Sequence, residues 1–102
     1  MEYMESTTKD RLYELNKLEK YLEEHNYNYE RIDEENDYMS QHQLIVYDDE
    51  NTRLWDAICH RGSYGYEEGL LEIMGTIVAP NAGDDVEGWL RANEIIIRLE
   101  DE

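Results

Sequence analysis

Cys59 and His60 open the stretch CHRGSYGYEEGLLEIMG, residues 59 to 75, in which glycines space a turn ahead of an apolar-periodic run. Two chemistries use such an arrangement. An imidazole can turn a neighbouring thiol into a nucleophilic thiolate, and backbone amides in a glycine turn before a helix can cradle phosphate. The spacing disfavours the first, because adjacent side chains in a strand point to opposite faces, so Cys59 and His60 cannot activate each other. His42 can approach from a neighbouring strand, and Asp56 shares the face of His60. A His42, Asp56, His60 cluster with Cys59 beside it is therefore the least favoured function considered, a small hydrolase or metal enzyme. A solvated sheet face explains the same residues, and a lone cysteine is ordinarily a small core side chain. The expectation is no catalytic residue, no metal and no cofactor.

The glycines meet a similar objection. No P-loop lysine follows them, the dinucleotide-binding spacing is missing, and Glu67 and Glu68 fall in the first turn of the helix expected next. Carboxylates there complement the helix N-terminus and repel phosphate. The acids of DDEN and GDDVEG lack the alternating oxygens of an EF-hand loop.

The elements that position these residues follow from periodicity. Thr7 or Thr8 can cap a helix in which Leu12, Leu15, Leu18 and Leu22 recur at helical spacing, ending near His25 and Asn26. YNYERI alternates and predicts a first strand. QLIVYDDENTRLWDAICH holds two apolar runs around Asp48, Asp49, Glu50 and Asn51, the pattern of a hairpin with a turn of about four residues. Leu70, Leu71, Ile73, Met74, Ile77 and Val78 predict a second helix stopping before Pro80, NAGDDVEG a polar loop, and WLRANEIIIRLEDE a last helix despite its β-like isoleucines. The expected fold is α+β, in the order α-β-β-β-α-α, an antiparallel sheet of about three strands with helices on one face.

A chain of 102 residues is expected to form one domain, residues 1–102, burying about two-thirds of its unfolded surface. No stretch of about 18 apolar residues occurs, the N-terminus lacks the order of a secretory signal, and a single cysteine cannot form an internal disulfide. These features predict a soluble, cytoplasmic protein, monomeric or a small homo-oligomer.

Charge is the strongest signal. Twenty-six acidic residues stand against nine basic ones, for a net charge of −17. Residues 32 to 52 contain no Lys or Arg but hold Asp33, Glu34, Glu35, Asp37, Asp48, Asp49 and Glu50. Residues 62 to 90 are likewise base-free, with Glu67, Glu68, Glu72, Asp84, Asp85 and Glu87. Such a field repels nucleic acid and anionic membrane and selects a basic partner. A domain about 30 Å across covers roughly 18 phosphate charges of duplex DNA, comparable to the net charge here. Nine tyrosines and no phenylalanine add interface character, with Tyr27, Tyr29, Tyr38, Tyr64 and Tyr66 in or beside the acidic zones.

LWDAICHRGSYGYEEGLLEIMG and GDDVEGWL resemble segments of small proteins carried by phages and mobile elements of Gram-positive bacteria. The short, acidic, tyrosine-rich format is similar to that of anti-CRISPR and anti-restriction proteins that mimic DNA. That resemblance implies an inhibitor, acting in a bacterial host cell, that occupies the basic nucleic-acid channel of a defence nuclease such as a Cas effector or restriction nuclease. The expected partner-binding residues are Asp33, Glu34, Glu35 and Asp37 with Tyr29 and Tyr38, helped by Asp48, Asp49 and Glu50. A rival face comprises Tyr64, Tyr66, Glu67, Glu68, Asp84, Asp85, Glu87 and Trp89. The alternative function is an accessory phage interaction module with incidental acidity.

Overall fold

The computed structural model describes residues 12–36, 40–78 and 86–101. Helix α1 (Tyr13–Glu24) turns Leu15, Leu18 and Leu22 to the interior. Its expected threonine caps lie outside the described residues. Strands β1 (Asn28–Glu35), β2 (Ser40–Tyr47), β3 (Arg53–Ile58), β4 (Leu71–Gly75) and β5 (Val86–Leu90) follow, and helix α2 (Ala92–Glu100) closes the order. The five strands form an antiparallel sheet in sequence order, with β1 and β5 at its edges.

The core lies on one face of this sheet. Leu44 and Val46 of β2, Trp55 and Ala57 of β3 and Leu71 and Ile73 of β4 recur at period two and meet the leucines of α1 and Ile95 and Leu99 of α2. Among the described residues no helix covers the other face, where Asp56 accepts hydrogen bonds from Gln43 (2.6 Å) and Arg53 (2.7 Å). The class, antiparallel sheet, hairpin and last helix agree with the sequence.

Strand number does not. The expected second helix is β4, in which Leu71 and Ile73 face inward and Glu72 and Met74 outward. Gly75 ends it at φ 117°, a value closed to right-handed helix, and a Cβ there would stand 2.4 Å from the Leu54 carbonyl oxygen. The expected polar loop gives way at Val86 to β5, and residues 81–85 lie outside the described residues. The first strand runs past Ile32 to Glu35, so the dense acids are not all in a connecting segment: Asp33, Glu34 and Glu35 belong to an edge strand. Charge on an edge has a structural use, since it discourages pairing with other chains. Finally, Glu67 and Glu68 sit in a single 3₁₀ turn, Tyr66–Glu68, with no α-helix behind it.

Candidate functional site

The two helices run side by side in the same direction. Near the start of α1, Glu14 accepts a hydrogen bond from the Ala92 N–H at the start of α2 (2.8 Å). At their far ends His25 and Tyr27, which follow α1, and Leu99 of α2 line one cleft. The molecule therefore has a leading end, with both helix N-termini and the 59–70 segment, and a trailing end, with both helix C-termini and the β2–β3 hairpin tip. Parallel helix dipoles add, and both put their negative ends at the trailing end.

Many acids are engaged internally. Asp33 is gripped by Arg31 (3.0 Å) and lies 2.8 Å from His42 Nδ1; burial alone would raise its carboxyl, but hydrogen bonds from His42 and Arg31 outweigh this and hold it below the usual range. Glu19 accepts from Arg31 (2.8 Å) and from the half-buried Tyr29 hydroxyl (3.1 Å). Glu30 accepts from Tyr47 (2.9 Å), Glu72 from the Tyr64 N–H (2.8 Å), and Glu87 pairs with Arg98 (2.6 Å). Asp48 holds the hairpin turn, accepting from the N–H groups of Glu50 and Thr52, both at 2.9 Å.

Other acids have no such duty. Glu34 and Glu35 on β1, Asp49 and Glu50 at the hairpin tip, Glu67 and Glu68, and Glu23 and Glu24 at the end of α1 are exposed, with no ion pair among the described residues. Glu34 and Glu35 lie toward the leading end and Asp49 and Glu50 at the trailing one. Seven residue steps of β2 separate the two groups, or about 23 Å at roughly 3.3 Å per step. Asp37, Tyr38, Asp84 and Asp85 lie outside the described residues.

Two concavities accompany these acids. At the leading end Tyr64, Tyr66, Glu67 and Trp89 line a groove of about 220 Å³, so half of the rival face does come together. Tyr64 rests on β5 at Gly88, where a Cβ would stand 2.3 Å from the tyrosine Cβ, and Trp89 is held at φ 63° while 57% exposed. Arg61 stands in the wall of this groove. At the trailing end a cleft of about 410 Å³ has Tyr27, Tyr47, Leu54 and Trp55 in its walls, with Asp48 and Asp49. Burial, then Tyr27 and the Glu100 carboxylate, push the nearby Tyr21 hydroxyl above its usual pKa, and the hydrogen bond to Glu30 does so for Tyr47.

The His42, Asp56, His60 cluster is divided by the sheet. His42 shares the helix-covered face with Leu44 and Val46, whereas Asp56 pairs in register with Ile45 on the opposite face. His60 follows the end of β3 and meets His42 through the backbone, its Nδ1 accepting the His42 N–H at 2.9 Å. Burial first, then the charge of His42, lowers the His60 pKa, with Asp56 opposing. Cys59 is fully buried in the core cluster beside His42, whose Nε2 has no hydrogen-bond partner among the described residues. Among the described residues no group of three potential ligands is placed to hold a metal ion.

Sequence reasoning named Asp48, Asp49 and Glu50 at the hairpin tip but missed the rest of the trailing end. Glu23, Glu24, Tyr47 and Trp55 carry it, and the available signal was a helix whose last turn is acidic and has no basic residue. Comparison of the chain with family models, curated proteins and solved structures finds no match.

Proposed function

We propose that the protein is a non-enzymatic inhibitor that occupies the basic nucleic-acid-binding site of another protein, a bacterial defence nuclease such as a Cas effector or restriction nuclease, in the host cytoplasm. The observation that carries this reading is two groups of exposed acids without ion-pair partners among the described residues, Glu34 and Glu35 on the edge strand β1 and Asp49 and Glu50 at the β2–β3 hairpin tip. The longest dimension is 44 Å, over which duplex carries about 26 charges, so −17 amounts to a partial imitation.

Displacement of labelled duplex from purified Cas effectors and restriction nucleases tests this. We expect release at low salt, weakened when Glu34 and Glu35 are replaced by Lys. Failure to displace DNA from any of them at low salt contradicts inhibition by mimicry.

A second reading is supported by Trp89, a bulky residue at positive φ that is nonetheless exposed beside Tyr64. Strain of this kind gathers at functional positions. An interaction module centred on that groove requires binding that survives high salt and is lost on Trp89→Ala.

A further inference from the structure

We propose that the trailing-end cleft receives an arginine side chain of the basic partner, which serves as the anchor of the complex. This rests on the inhibitor reading above and adds to it a site and a ligand chemistry. The cleft, at about 410 Å³, lies within the usual range of ligand sites, roughly 300–1,000 Å³. Three aromatic residues, Tyr27, Tyr47 and the largely buried Trp55, are among its lining. A guanidinium stacks on aromatic faces, whereas an ammonium acts as a point charge.

Charge selects the same ligand. Among the described residues no Lys or Arg lines this cleft, while Arg61 already places a cation in the wall of the groove at the other end. Asp49, which lines the cleft, makes no side-chain hydrogen bond or ion pair among the described residues, so its carboxylate is available to an incoming cation. Both helix C-termini close on this end, and carbonyl groups there favour positive charge. Asp48 has a structural duty and is not needed as the ligand, since its side chain secures the turn.

The test uses the whole chain and the peptide Gly-Arg-Gly-Arg-Gly at low salt, followed by NMR. The indole signal of Trp55 reports the cleft, and that of Trp89, at the opposite end, serves as control. The expected result is a saturable shift of Trp55 and of the amides of Tyr27, Tyr47 and Asp49, with Trp89 unmoved. Asp49→Lys should weaken binding by about five- to tenfold and Asp49→Asn by less, with unchanged melting temperatures. The lysine analogue of the peptide should bind more weakly than the arginine one. A Trp55 signal that does not move, or equal affinity for wild type and Asp49→Lys, overturns the proposal. The two readings fail separately. Peptide binding in the cleft without displacement of DNA from any nuclease removes the inhibitor and leaves the site; displacement that is indifferent to Asp49→Lys but lost on Glu34→Lys with Glu35→Lys removes the site and leaves the inhibitor.

Discussion

At the hairpin tip the Asp48 carboxylate accepts two backbone N–H groups at 2.9 Å, whereas that of Asp49, one residue on, is exposed and has no partner among the described residues. Adjacent, identical residues therefore answer differently to substitution. Asp48→Ala should destabilise the fold by about 1–2 kcal/mol, the scale of hydrogen bonds to a charged group partly open to water. Asp49→Lys should stay within about 0.5 kcal/mol of wild type. Urea unfolding of the two variants decides this. His60 gives a pH dependence of known sign. Its folded-state pKa is depressed below the ordinary 6.5, so as pH falls through that value the unfolded chain takes up the proton first and stability declines. We expect lower stability at about pH 5.5 than at about pH 7, with a flatter profile for His60→Gln. Asp33 acts in a more acidic window, where its contribution is lost as pH falls below its ordinary 3.8.

At the scale of elements, α1 ends in Glu23 and Glu24 with no basic residue in its last turn, an arrangement that opposes the helix dipole. Replacing both by Lys should raise stability by about 0.3–1 kcal/mol per site while weakening binding to the basic partner, a trade that separates an interface residue from a structural one. Thermal melts and displacement titrations on the same variant measure both. Elements were legible in the sequence where one periodicity dominated. The leucines of α1 and the two apolar runs around Asp48 to Asn51 each allow a single reading. Leu70 to Val78 fits helical spacing as well as a short strand, and only the backbone of Gly75, closed to helix and pressed against Leu54, decides it. Gly75→Ala should accordingly cost about 1–3 kcal/mol. The site was half legible: acid density is visible in composition, but which carboxylates are engaged depends on partners such as His42 for Asp33 and Arg98 for Glu87, which only the fold brings near.

For the whole molecule, a net charge of −17 repels itself, and parallel helices direct part of that field to the trailing end. Added salt should therefore move two quantities in opposite directions, raising the melting temperature as self-repulsion is screened and weakening the complex as steering is lost. The most direct measurement is the stopped-flow association rate with a nuclease from which the protein displaces DNA, taken from about 0.01 M to about 0.15 M salt, over which the Debye length shrinks from about 30 Å to about 8 Å. An electrostatic mimic should lose about tenfold or more in that rate, with dissociation changing far less. A rate that stays flat across the same range contradicts the electrostatic basis of the proposed function.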